Sequence, residues 1–173
     1  MFQAIKTFWK EVMSEVTISK NKTYTMTTDE LIKNAELIHP VGFYVLAIKL
    51  FNNERKDESI KWFYVGSIRY RHFLSTIGTD PFEPENELFG QVQFEIGGAI
   101  LDYAGGDPGY WASQIEDADE WDDNHLNFFF PKKNHPKALL EIKANMHELA
   151  LKLREGKDDM LRQRKENNAE VRA

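Results

Sequence analysis

The sequence predicts an all-α fold: a single-domain bundle of about six to seven helices with a repeat-like hairpin at its centre. Two patterns carry this expectation. Apolar residues recur at i, i+3, i+4 spacing in one segment after another, the signature of amphipathic helices. Gly and Pro punctuate the chain between those segments instead of interrupting alternating apolar and polar runs. The length of 173 residues and a hydrophobic content of 42%, with 12 Phe, 6 Tyr and 4 Trp, fit one domain with a substantial core. A chain of this size buries about 70% of its unfolded surface, so no covalent staple is needed. With no cysteine, disulfides and thiolate metal sites are excluded. The bundle is expected over residues 1–156, with 157–173 a charged tail or solvated helix.

The elements follow in order. Residues 2–16 place Phe2, Ile5, Phe8, Trp9, Val12, Met13 and Val16 on one helical face. Residues 17–26 are polar and β-branched, which suits a connector or a short extended piece. Thr27 and Glu30 form a capping box opening a helix through Ile38. Pro40 then starts a helix to about Phe51. After a turn at 52–55, Asp57 and Glu58 sit where carboxylates complement the helix dipole, opening a helix over 57–77. Its run Trp62-Phe63-Tyr64-Val65 points apolar side chains in every direction, so this helix is expected to be central and buried. Gly78 ends it, and Asp80-Pro81 and Pro84 mark a loop.

A further helix is expected over 87–104. Gly90, Phe94, Gly97 and Leu101 share one of its faces and suggest close packing, which would explain interior glycines that each cost about 1 kcal/mol relative to Ala. A strand over 91–96 is the alternative. The run Ala104-Gly105-Gly106-Asp107-Pro108-Gly109 is the strongest breaker. Residues 110–121 read as a short acidic helix and 127–133 as an aromatic loop. Pro136 opens the last well-patterned helix, with Leu139, Leu140, Ile142, Met146, Leu149, Ala150 and Leu153, and Gly156 ends it.

Charge is distributed unevenly. Residues 72–131 contain no Lys or Arg but 13 of the 28 acidic residues, so this stretch is −13 while the remainder, with all 22 basic residues and 15 acidic ones, is +7. Such a split concerns partners and association kinetics, not fold. It argues against nucleic acid docking on the middle segment, where phosphate would be repelled. No apolar run reaches the ~18 residues of a membrane span, so no membrane partner is expected. Residues 1–16 carry Lys6, Lys10, Glu11 and Glu15, unlike a signal peptide. A cytoplasmic location is expected, or a periplasmic one if the chain begins at a mature N-terminus.

No motif carries catalytic chemistry, and no enzyme activity, cofactor or metal is expected. The acidic run 116–123 invites a calcium reading. However, an EF-hand loop starting at Asp117 needs Gly at its sixth position and Glu at its twelfth, where this chain has Asp122 and Phe128. The five histidines, His39, His72, His125, His135 and His147, form no metal-binding pair. The nucleophile elbow Gly-x-Ser-x-Gly is absent, and the 105–109 run lacks the Lys and Ser/Thr of a phosphate-binding loop. Arg69 and Arg71 lie on the helix expected to be most buried. An unpaired charge there is very costly, so an internal pair with Glu87, Glu95 or Asp102 of the next helix is expected.

Residues 44–71 resemble one helical hairpin of the Sel1-like and tetratricopeptide repeat type. Tyr44, Leu46, Ala47, Leu50 and Phe51 carry the likeness on the first helix, and Asp57, Ile60 and Trp62-Phe63 on the second. The Sel1-like turn glycine and an alanine near position 60 are missing, and no second copy follows at a fixed period. The resemblance implies helix-pair packing and protein binding. In type, the whole chain is similar to small bacterial immunity proteins, which are compact, acidic and cysteine-poor and cover the active site of a cognate toxin. That similarity implies a non-catalytic inhibitor. Its expected contact surface is the acidic, Trp-containing stretch Trp111, Glu116, Asp117, Asp119, Glu120, Trp121, Asp122 and Asp123. Trp is a favoured interface anchor, and carboxylates steer a basic protein partner. A homodimer is compatible with this reading. A helical scaffold or adaptor is the alternative, followed by an enzyme with a dispersed site, which a pocket joining His72 or His125 to two carboxylates would favour.

Overall fold

A computed structural model describes residues 17–172. The helix expected over 2–16 lies outside the described residues. Nine helices pack as a bundle among them. They are α1 (Lys20–Thr23), α2 (Thr28–Lys33), α3 (Val41–Asn52), α4 (Lys56–Leu74), α5 (Pro84–Glu95), α6 (Gly97–Gly105), α7 (Pro108–Asn124), α8 (Pro136–Glu155) and α9 (Lys157–Glu166). The described residues contain no strand. A single parallel bridge joins Ile18 to Ile38, with Ile18 N–H donating to Leu37 O at 2.8 Å and His39 N–H to Ile18 O at 2.9 Å.

The all-α class matches expectation, and the helix count exceeds it because several boundaries differ. The capping box is present: Glu30 N–H donates to Thr27 Oγ1 and Thr27 N–H to Glu30 Oε2. The helix it opens stops at Lys33, however, and Ile38 is drawn into the bridge instead. The helix expected over 87–104 is two helices meeting at Ile96, and it begins earlier, at Pro84. The strand alternative at 91–96 fails. The shared packing face also fails in part. Gly97 rests against the Phe63 ring, whereas Phe94 is 85% exposed. The breaker at 104–109 holds a helix start: Asp107 caps α7 by accepting from Tyr110 N–H at 3.1 Å, and Pro108 occupies its first turn.

α3 and α4 form a tight hairpin, and α4 also touches α5, α6, α7 and α8. Both helices are buried nearly all round, with Phe43, Tyr44, Leu46, Leu50, Ile60, Val65, Ile68 and Tyr70 at 0% exposure. Gly66 makes their approach possible, since a Cβ there would stand 2.9 Å from Phe43 Cβ and 3.0 Å from Tyr44 Cε2. α4 ends at Leu74, short of the expected 77, and Gly78 sits within the following loop at φ +91°, a conformation that favours glycine. α9 buries none of its side chains. The chain beyond it nevertheless returns to the bundle. Arg172 stacks 3.6 Å from the Tyr103 ring centroid and pairs with Asp57 at 3.1 Å, and Arg164 pairs with Asp102 at 3.0 Å.

Candidate binding face on α7

α7 carries all eight residues expected at a contact surface, and the fold divides them. Its inner side packs on α4 and α8 because Ala112, Ile115 and Ala118 recur at helical spacing and are buried. Asp122 lies on that inner side. It is 1% exposed and faces Arg69, itself 2% exposed. Arg69 Nε donates to Asp122 Oδ1 at 2.8 Å, Nη1 to Ala35 O at 3.1 Å and Nη2 to Leu126 O at 3.0 Å. The guanidinium sits 4.8 Å from the Trp121 ring centroid and 5.4 Å from that of Phe43. Asp122 Oδ2 has no hydrogen bond of good geometry, but Lys143 Nζ at 3.3 Å and Lys132 Nζ at 3.8 Å supply compensating charge. Burial depresses the Arg69 pKa, and Asp122 opposes that shift.

Two expectations are corrected here. An internal Arg–carboxylate pair exists, but its acid is Asp122 on α7, not Glu87, Glu95 or Asp102. Those three are exposed, because the adjoining helices α5 and α6 turn their charged sides outward; Asp102 instead meets Arg164. Among the described residues, Arg71 has no carboxylate within ion-pair distance. One helical step of about 100° beyond Tyr70 carries it to the surface, where Nε donates to Ser67 Oγ at 3.1 Å and the guanidinium lies over Phe89. The second correction concerns Asp122, which is core and therefore cannot meet a partner directly.

The remaining acidic residues are partly neutralised by cations from distant parts of the chain. Glu116 forms a two-pronged pair with Arg154, which holds its carboxyl below the usual range. Asp119 and Asp123 both hold Lys143, the latter at 2.9 Å. Burial disfavours the Lys143 charge, but these hydrogen bonds outweigh it and raise its pKa. Asp117 accepts from Gln114 at 3.0 Å, and Glu120 has no cation within ion-pair distance among the described residues. Trp111 is half-buried and donates its indole N–H to Tyr64 OH at 2.9 Å, so it anchors α7 to α4.

What faces outward is therefore Asp117, Glu120 and Asp123, set beside the half-buried Trp121. The His125 ring stacks on that indole at 4.1 Å and 12°. Its Nδ1 lies 2.7 Å from Trp121 O, so Nδ1–H donates to that carbonyl. Trp62 meets the other edge of Trp121 at 5.1 Å. Three recesses lie along α7, the second and third of them bordering this stack. One of about 430 Å³ is lined by Glu116, Asp119, Glu120, Asp123, Met146 and His147. One of about 220 Å³ joins Lys61, Asp117, Glu120 and His125, and one of about 390 Å³ joins Glu36, Trp62, Trp121 and His125. Lys132 and Lys143 escaped the sequence reading because each reaches α7 from a different part of the chain, and no local spacing signals that; the sequence marks Trp62 only as core and His125 only as a dispersed-site candidate, although His125 directly follows α7, four residues after Trp121.

Among the described residues, no group of three or more His, Asp or Glu side chains is arranged to hold a metal ion, and no helix is long and apolar enough to cross a membrane. No family model, curated protein or solved structure matches the chain.

Proposed function

We propose that this chain is a non-catalytic binding protein that neutralises a cognate toxin by meeting a basic protein surface with the outward edge of α7. The observation supporting this is the exposed group Asp117, Glu120 and Asp123 on α7, the first two lining the recess beside the Trp121–His125 stack. All three carboxylates are exposed; Asp117 and Glu120 have no cation partner among the described residues, and Asp123 shares Lys143 with Asp119. An aromatic platform inside a carboxylate rim combines the two features that anchor and steer protein association.

The reading is tested with the polypeptide encoded next to this gene as the candidate toxin. Reversing the charge at Asp117, Glu120 and Asp123 to Lys should slow association at least tenfold at low salt and flatten its salt dependence. Unchanged rates would remove α7 as the contact face, and absence of binding by the unmodified chain would remove that partner.

A second reading, acid–base chemistry at His125, draws on the recess that joins its ring to Asp117 and Glu120. That recess is shallow and open to water, which weakens the electrostatic advantage catalysis needs. Neither carboxylate is hydrogen-bonded to the ring.

A further inference from the structure

The loop at 75–83 and helix α5 are a lightly held part of the bundle. α5 fully buries only Val92, with Leu88 and Phe89 packed against the core from half-buried positions. Phe82 before it is 88% exposed and Phe94 on it 85%. Few buried apolar contacts mean a low local opening free energy. Two polar attachments compensate. Near its end, Gln93 bonds to Tyr44 OH. In its first turn, Glu85 gathers groups from three other places in the chain. Lys20 Nζ of α1 lies 2.7 Å from Oε1, Tyr70 OH of α4 donates to Oε2 at 2.7 Å, and His39 Nε2 stands 3.4 Å from Oε2.

His39 is the buried member of this cluster, at 4% exposure. Its Nδ1 accepts from Val41 N–H at 3.1 Å, so the ring is neutral and carries its proton on Nε2, toward Glu85. Phe129, Tyr70 and Phe73 enclose the ring at 4.7, 5.5 and 5.9 Å between centroids. A second proton would turn Nδ1 into a donor facing the Val41 donor, in a pocket where a charge is poorly solvated.

We propose that Glu85 is the latch of an acid-sensitive flap. Protonation of the Glu85–His39 pair frees α5 and the loop before it, uncovering the aromatic surface of Tyr44 and Tyr70 that Phe89 covers. The charged and titratable groups facing this pair among the described residues are Lys20 and Tyr24 from α1, Tyr44 from α3 and Tyr70 from α4, with Arg71 lying over Phe89. The direction follows from both members. Burial pushes His39 down from 6.5 to about 4. Its neutral-ring contribution is therefore complete above pH 6.5 and drains as pH falls toward 4. Burial raises the Glu85 pKa, but the hydrogen bonds from Lys20 and Tyr70 and the His39 dipole outweigh it and bring it below its ordinary 4.5. Its contribution is present above pH 4.5 and is lost on acidification through the folded value. Both effects loosen α5 in acid.

The test is hydrogen exchange of the full chain, followed by mass spectrometry at pH 7.5, 6.0 and 4.5 and corrected for intrinsic exchange rates. Protection of residues 84–95 should fall at least tenfold toward pH 4.5 while α4 and α8 stay protected. Glu85→Gln should lower protection of 84–95 at pH 7.5 and reduce its pH dependence. Lys20→Met, which removes a single arm of the latch, should shift the loss of protection to higher pH. Flat protection of 84–95 across the range, its loss together with α4, or wild-type protection in Glu85→Gln would each overturn the proposal.

Discussion

Asp122→Ala is the sharpest perturbation the core offers. The substitution leaves the Arg69 guanidinium, 2% exposed, with three backbone carbonyls and no carboxylate. It also removes a carboxylate from beside Lys132 and from beside Lys143, which keeps Asp119 and Asp123. Removing one partner of a buried ion pair costs roughly 3–5 kcal/mol, because the other charge stays behind. Set against a total stability of about 5–15 kcal/mol, that is a large fraction. For a chain of this length, the midpoint of thermal unfolding should fall by about 6–20 °C. Arg69→Met should cost less, since Asp122 keeps Lys143 at 3.3 Å. The double variant Arg69→Met/Asp122→Ala removes both charges and should be more stable than the sum of the single losses by about 1–3 kcal/mol. The assay is urea denaturation followed by circular dichroism, with the denaturant slope checked for constancy. An Asp122→Ala loss below 1 kcal/mol, or strict additivity in the double variant, would refute the reasoning.

Two further outcomes are expected. Gly66→Ala adds a methyl between Phe43 and Tyr44 at 2.9 and 3.0 Å; overpacking of about 1–3 kcal/mol should exceed the helix-propensity gain of ~1 kcal/mol, giving net destabilisation in the same denaturation assay. Deleting residues 169–173 removes the Arg172 stack on Tyr103, its pair with Asp57 and the Arg172 N–H bond to Gly106 O. A loss of about 1–2 kcal/mol should follow, with increased hydrogen exchange in α6 as the local readout.

Much of the fold was legible because its signals are local. The Thr27–Glu30 capping box, the four-residue apolar run of α4 and Pro136 at the start of α8 each act through neighbours within a few residues, and each appears where expected. The break at Ile96 and the early end of α2 were not legible. Both are set by contacts between distant segments: Gly97 against Phe63, and Ile38 against Ile18. Composition also located a cation-free acidic stretch correctly but left its meaning open. Lys20, Arg69, Lys132, Lys143, Arg154 and Arg164 come from other parts of the chain and neutralise Glu85, Asp102, Glu116, Asp119, Asp122 and Asp123.

The sequence by itself determined an all-α chain, the centrality of α4, the need for a carboxylate partner to a buried arginine, and the acidic character of α7. Periodicity, caps and the cost of an unpaired charge act within a helix or on a single residue, so no coordinates are required to read them. Only the tertiary structure decided that the partner is Asp122, that Trp111 is an internal anchor, and that Asp117, Glu120 and Asp123 are what α7 presents to solvent. Which side of a helix faces water, and which cation reaches which acid, depend on the packing of elements far apart in the chain.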